Sequence, residues 1–365
     1  MSEYEPISDL DIPVDRGLAE QTLITEVFSD EELTTQGLIE RALFEVKKVV
    51  VGQDEMIERL MVSLLAGGHC LLEGPPGLAK TLAAKTLATV VGGDFNRIQF
   101  TPDLLPADIL GTRIYQPSTE SFSVELGPVF ANVVLADEIN RASPKVQSAL
   151  LEVMAEQQVS IGGQTFKVPE PFIVLATQNP IESEGVYPLP EAQRDRFLMK
   201  VLLNYPSDRE EVEIVRRVSV RIPEASAILT PTKWHRLRTI AANAFVHDAV
   251  ADYAVRLVAA TRRPAEFGLP DLEDKISYGA SPRATLGLIA AGRALAIMRG
   301  RNYVLPVDVF HVAPDVLRHR LVLSYEALAS EVGADDVVDR ITSHIWAPKL
   351  TPATEQTAVV VGEAG

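Results

Sequence analysis

Apolar positions along this chain change their period several times, and the changes divide it into elements. Between residues 35 and 49 they recur at Leu38, Ile39, Ala42, Leu43 and Val46, the spacing of an amphipathic helix. Val50, Val51, Gly52 and Gln53 break that pattern before a second helix predicted around 56–65. Cys70, Leu71 and Leu72 then read as a buried strand, followed by a helix over 82–90, a strand over 96–100 and a turn at 101–106 that leads into another helix. Residues 112–126 alternate instead, with Ile114 and Gln116 before a turn at Pro117, Ser118, Thr119 and Glu120, and Phe122, Val124 and Leu126 after it. This is a β-hairpin signal. Residues 133–138 form a continuous apolar strand ending in Asp137 and Glu138. Ser143 and Pro144 start a helix with apolar positions at Val146, Ala149, Leu150, Val153 and Met154. A second hairpin over 158–168 turns at Gly162 and Gly163, and buried strands are predicted at 172–177 and 197–203. Strands alternating with helices in this way specify a parallel three-layer α/β fold, with ligands at the C-terminal ends of the strands.

Tyr205, Pro206 and Ser207 look like a hinge, and the pattern beyond is helical at 209–220, 233–245, 249–261, 283–298 and 306–317, with a polar loop over 262–279. The expected division is an α/β domain over 34–205 and a helical domain over 206–350. Residues 1–33 hold ten acidic side chains against one basic, Arg16, so most of the net charge of -16 sits in what reads as a disordered arm. Residues 351–365 have little to bury and read as a frayed tail. The acidic balance argues against a general grip on nucleic acid, which needs Lys and Arg on the phosphates. Cys70 is the one cysteine, so an internal disulfide is excluded and a structural zinc site disfavoured; a buried strand position explains it. No stretch approaches the ~18 apolar residues of a membrane span, and the acidic start is unlike a signal peptide, so a cytoplasmic protein without a membrane span is expected.

The apolar run at 70–72 opens into Glu73, Gly74, Pro75, Pro76, Gly77, Leu78, Ala79, Lys80 and Thr81. In such a loop, backbone N–H groups curl round phosphates and the following helix points its N-terminus at the same anion. Lys80 would reach the outer phosphates and the Thr81 hydroxyl would bind magnesium. The usual pattern has glycine where this chain has Ala79, and alanine lacks easy access to positive φ. Asp137 at its strand tip suits the magnesium shell, and Glu138 is placed to polarise a water for attack on a γ-phosphate. Asn179 ends the next core strand, where a neutral amide would hold that water; a turn asparagine before Pro180 is the alternative. Arg194 and Arg196 precede the last strand and offer planar forks for phosphoryl charge, although a surface pair with Asp195 competes for one of them. Ser281, Pro282 and Arg283 begin a helix from which Arg283 would reach a phosphate across the hinge, or remain a solvated arginine.

In this order the motifs resemble those of an AAA+ ATPase and, within that superfamily, of the MoxR family, over about residues 35–323. The carrying residues are Val51, Gly52 and Gln53; the loop from Gly74 to Thr81 as Walker A, with the Ala-Lys-Thr ending common in that family; and Asp137-Glu138 as Walker B. Asn179 matches sensor 1, residues 189–197 the arginine-finger region, and 279–283 sensor 2. The hairpins resemble the helix-2 insert and the pre-sensor-1 hairpin of the branch shared with magnesium chelatase motors and minichromosome-maintenance helicases. The resemblance implies a P-loop domain with a five-stranded parallel core sheet and an all-α lid. It implies ATP and Mg2+, with Val51, Gly52 and Gln53 near the adenine, residues Gly74 to Leu82 and Asp137 round the phosphates, and Thr81 and Asp137 on the metal. It also implies a homo-oligomeric ring, a hexamer, with ATP between subunits. Arg196 is the preferred finger in the neighbour's site, Arg194 the second choice, and Arg283 acts in cis or in trans.

The function so implied is ATP hydrolysis that remodels a protein client, since MoxR-type ATPases are similar to chaperones acting with proteins that bear von Willebrand factor A domains. Metal or cofactor insertion and complex assembly are the outcomes expected. The hairpins, with Tyr115, Phe122 and Phe166, are candidates for the pushing surface, with ordinary hairpin packing as the alternative. The rivals are a metal-chelatase motor, a nucleotide-dependent switch and a nucleic-acid motor. The last would need basic hairpins, and these offer Arg113 and Lys167 against Glu120 and Glu125.

Overall fold

Two capped helices lead into the first core strand. α1 (Thr35–Val49) begins where Thr34 Oγ1 accepts the Gly37 N–H at 3.1 Å, and α2 (Asp54–Ala66) ends on Gly67 at φ 69°. This is a computed structural model that describes residues 4–5, 34–180, 185–220 and 223–349. Apart from Tyr4–Glu5, which pair with Ala347–Pro348, the arm predicted at 1–33 lies outside the described residues, as does the tail at 351–365.

After β1 (Cys70–Glu73) and α3 (Lys80–Val91) come β2 (Phe95–Gln99), α4 (Pro106–Leu110) and the hairpin β3 (Gly111–Gln116) and β4 (Ser121–Leu126). Next are β5 (Val133–Asp137), α5 (Pro144–Glu156), the hairpin β6 (Gln158–Ile161) and β7 (Gln164–Lys167), β8 (Ile173–Gln178), α6 (Glu191–Arg194) and β9 (Met199–Leu202). Strands β9, β1, β8, β5 and β2, in that order, form one parallel five-stranded sheet. Successive residues of the central strands face opposite sides. Leu72, Leu135 and Leu175 join the core under α1, α2 and α3, whereas Leu71, Val134 and Val174 join the core under α4 and α5. Burial of both faces explains the nearly continuous apolar strands, and the fold is the three-layer P-loop arrangement expected from the sequence.

Both predicted hairpins form, and they touch each other. Tyr115 stands opposite Phe122 with ring centroids 5.3 Å apart, and the Arg113 guanidinium lies 4.5 Å from the Phe122 centroid. The aliphatic part of Arg113 crosses Gly162 in the turn of the other hairpin, where a Cβ would meet Arg113 Cδ at 1.9 Å. Val159 and Ile161 of β6 are buried in the sheet's second core, and Phe166 packs against it.

Beyond β9 the chain is mostly helical: α7 (Asp208–Val220), α8 (Pro231–Ala242), α9 (Asp248–Ala260), α10 (Pro282–Met298), α11 (Pro306–Leu317), α12 (Tyr325–Ala329) and α13 (Ala334–His344). The loop predicted at 262–279 holds two short 3₁₀ turns and a strand, Ile276–Tyr278, paired with Val322–Leu323. The lid shares its core with the sheet. Trp234 of α8 is buried and donates Nε1–H to the Leu64 carbonyl of α2 at 3.3 Å, and Ala284, Leu288 and Leu295 of α10 belong to the cluster that holds α1 and α2. Arg59 of α2 meets Asp315 of α11 at 2.6 Å, both side chains under a tenth exposed, and Arg318 pairs with Asp315 and Asp335. Among the described residues no helix is long and apolar enough to cross a membrane.

Candidate active site

A cleft of about 450 Å³ opens at the C-terminal ends of β1, β5 and β8. The loop after β1 shapes one wall. Gly74 sits where a Cβ would stand 2.8 Å from Leu203 Cβ, and Gly77, at φ 86°, has open space in front of it. Ala79 does adopt the left-handed conformation, at φ 56°, although an L side chain there costs roughly 1–2 kcal/mol. α3 therefore starts at Lys80, two residues before the predicted 82, which puts Lys80 and Thr81 in its first turn. Lys80 Nζ donates to the Gly74 carbonyl at 2.7 Å. Burial pulls its pKa below the ordinary lysine value, against the opposing pull of the Asp137, Glu138 and Glu73 carboxylates.

The opposite wall is a chain of polar contacts. Thr177 Oγ1 donates to Asp137 Oδ1 at 2.6 Å and accepts the Glu138 N–H at 2.8 Å, so one hydroxyl orients both residues. Asp137 Oδ2 accepts from Arg97 Nε at 3.0 Å and Nη2 at 2.8 Å. Arg97 Nη2 also donates to Gln99 Oε1 at 2.7 Å, and Gln99 Nε2 donates to Glu138 Oε2 at 2.8 Å. Arg141 reaches the same Glu138 oxygen at 3.0 Å. Glu138 itself lies at φ 56°, and Asn179, 7% exposed, lines the cleft beside Thr177. Sequence reasoning missed Arg97, Gln99, Thr177 and Arg141. The available signal was the polar alternation at 97 and 99 in a short strand, and the threonine two residues before Asn179. The Thr81 hydroxyl and the Asp137 carboxylate line one cleft with Lys80, and such oxygen donors fit Mg2+ beside a phosphate cradle.

A second cleft, of about 520 Å³, lies by the N-terminal ends of β1 and β9. Arg196 and Arg283 both line it, with Glu156 and Gly287, and neither lines the first cleft. Arg196 Nη1 donates to the Leu151 carbonyl at 2.8 Å. The pairing of Asp195 with Arg194 or Arg196, offered by the sequence, does not form. Asp195 instead accepts from buried Arg320 Nε at 2.8 Å and Ser281 Oγ at 2.9 Å, with Arg283 Nη1 at 3.8 Å, because the start of α10 and the turn after α11 converge on it. Arg194 lies 3.7 Å from Glu191 and lines neither cleft.

Val51, Gly52 and Gln53 make the turn between α1 and α2 and do not line the first cleft. Gln53, at φ 57°, donates Nε2–H to the Asn204 carbonyl at 2.9 Å, and the Glu210 carboxylate stands 3.1 Å from where a Gly52 Cβ would be. This turn is thus fastened to the segment that enters the lid. Cys70 is fully buried and its thiol is pushed up to about 12 by burial, which leaves it inert at neutral pH.

Comparison with known proteins bears on the family of the chain. Residues 69–199 match the profile of the ATPase family associated with various cellular activities (AAA), and residues 271–341 that of the AAA lid domain. The chain is 60% identical to Chaperone MoxR1 of Mycobacterium tuberculosis over 87% of its own length and 84% of that protein. It is 33% identical to Protein MoxR of Methylorubrum extorquens, over 83% of the chain and 93% of that protein. A crystal structure from Cytophaga hutchinsonii superposes with a TM-score of 0.82 at 47% identity, covering 86% of this chain and 96% of that one.

Proposed function

This chain belongs to the MoxR-type AAA+ ATPases, and we propose that it hydrolyses ATP in the cytoplasm as a homo-oligomeric ring, a hexamer, that remodels a protein client. The observation that carries the reading is the division of the functional set. Lys80, Thr81, Asp137, Glu138 and Asn179 line one cleft, whereas Arg196 and Arg283 line another. In a ring the second cleft of one subunit faces the first cleft of the next, so that Arg196 acts as the finger and Arg283 acts in trans.

Within one site the N–H groups of the loop and Lys80 hold the triphosphate, with Val51, Gly52 and Gln53 on the adenine side. Thr81 and Asp137 would hold Mg2+, which would offset the charge of the phosphates. Asn179 orients a water, and Glu138 takes its proton as the oxygen approaches the γ-phosphate in line with the leaving group. The Arg196 fork meets the charge that develops on the transferred group.

The client surface is assigned to the paired hairpins, whose Tyr115 and Phe122 are 49% and 59% exposed. Arg113 is stacked on Phe122, which supports a protein client over a nucleic-acid track. A partner bearing a von Willebrand factor A domain presents the client to this surface. Glu138→Gln tests both halves. The variant should retain ATP, lose nearly all turnover and, when captured in ATP, bring down such a partner, identified by mass spectrometry. Hydrolysis comparable to the parent would remove Glu138 from its role, and recovery of nucleic acid in place of protein would sink the client assignment.

A further inference from the structure

We propose that Arg97 is a built-in competitor of the divalent cation at Asp137, and so weakens the hold of the site on Mg·ADP. The inference rests on the assignment of the first cleft to a magnesium nucleotide and adds a residue to it.

Both oxygens of Asp137 have partners within the fold. Oδ1 is held by Thr177 Oγ1 at 2.6 Å, and Oδ2 by two guanidinium nitrogens of Arg97 at 3.0 and 2.8 Å. Oδ2 carries two donors and Oδ1 one, so a cation that takes Oδ2 displaces Arg97, and one that takes the open side of Oδ1 meets the Arg97 charge on the same carboxylate. Thr177 is 1% exposed, and its oxygen also carries the Glu138 N–H, so its release would disturb both carboxylates at once. The Arg97 side chain is 48% exposed and stands on β2, the edge strand of the sheet, so it leaves Asp137 without opening any core. Its link to Gln99 Oε1, at 2.7 Å, keeps the guanidinium beside the cleft afterwards. Arg97 is therefore the donor that yields.

The size of the effect follows from its exposure. A charge pair this open to water is worth up to about 1 kcal/mol, which corresponds to a change of about fivefold in affinity. An interaction of that size tunes release of the product without preventing binding. Mg·ADP is also the right species to read, because the competition involves the metal and the carboxylate rather than the γ-phosphate.

The test is calorimetric titration of ADP into the full-length chain, with Mg2+ and separately with EDTA, for the parent, Arg97→Ala and Arg97→Lys. With Mg2+, Arg97→Ala should bind ADP about fivefold more tightly. Arg97→Lys should fall between the two, and all three should agree in EDTA. Unchanged Mg·ADP affinity in Arg97→Ala overturns the proposal. Weaker affinity also overturns it and makes Arg97 a phosphate contact, and tightening that persists in EDTA removes the metal from the explanation. Lys80→Ala separates this from failure of the underlying assignment. If that variant binds ADP as well as the parent, or the parent binds none, the first cleft is not the nucleotide site.

Discussion

The clefts at the two ends of the sheet handle charge in opposite ways. At the C-terminal ends of the strands Lys80 rests on the Gly74 carbonyl, Asp137 on Thr177 and Arg97, and Glu138 on Gln99 and Arg141. That cleft is balanced internally, and a ligand enters it by exchanging partners. At the other end the balance is tilted. Asp195 is committed chiefly to Arg320, while Arg283 stands 3.8 Å from it with its side chain 60% exposed, and Arg196 donates to a neutral carbonyl. The positive charge left facing outward suits an anion from another molecule. On the ring reading that anion is the neighbour's phosphate, and the contrast between the clefts is the contrast between two halves of one site.

Mixing subunits strains this comparison most. Arg196→Ala should lower hydrolysis by about 10³-fold, in the range for a finger arginine. Rings mixed from Arg196→Ala and Lys80→Ala subunits should recover part of the activity through interfaces that join two intact halves. No recovery in an ATPase assay, with mixed rings verified by native mass spectrometry, would dissolve the pairing of the clefts. A smaller effect is expected from Asp195→Asn. It weakens the ion pair with buried Arg320 and frees the start of α10, so the chain should lose about 2 kcal/mol and melt a few degrees lower by calorimetry. ADP binding at the opposite cleft should stay unchanged, and a matching loss there would show that the clefts are not independent within a subunit. Ala79→Gly should do least. Relief of the left-handed strain, roughly 1–2 kcal/mol, exceeds the roughly 0.4–1 kcal/mol lost to the greater freedom of glycine in the unfolded chain, so stability should rise by about 1 kcal/mol or less with ADP affinity unaltered. A tenfold change in affinity would mean that the alanine methyl touches the nucleotide.

The parts legible in the sequence are those written in consecutive residues. The buried strands, the two hairpins and the loop from Gly74 to Thr81 carry their own periodicity and turn chemistry, and the parallel three-layer arrangement follows from them. Ala79, which stands where the loop pattern has glycine, takes the left-handed conformation all the same, at φ 56°. What stayed hidden depends on which strand lies beside which. Arg97 matters because β2 is hydrogen-bonded to β5 in the register that sets Gln99 against Asp137, and no local pattern reveals that neighbour. The true partner of Asp195 is Arg320, 125 residues away, and the strand at 276–278 finds its mate at 322–323. α13 was different. Its apolar positions Val337, Val338 and Ile341 have helical spacing, and the buried face they form was there to be read.

The contact between Arg113 and Gly162 has a mechanical meaning. From the exposed Phe122 ring a continuous load path runs through the Arg113 side chain to the turn of the shorter hairpin, then through buried Val159 and Ile161 into the sheet. The strand that leaves that hairpin is β8, and it delivers Thr177 and Asn179 to the nucleotide cleft. With no side chain at 162, Arg113 lies directly against that turn, so on the client-remodelling reading a displacement of the outer tip is passed to the shorter hairpin without a gap between them.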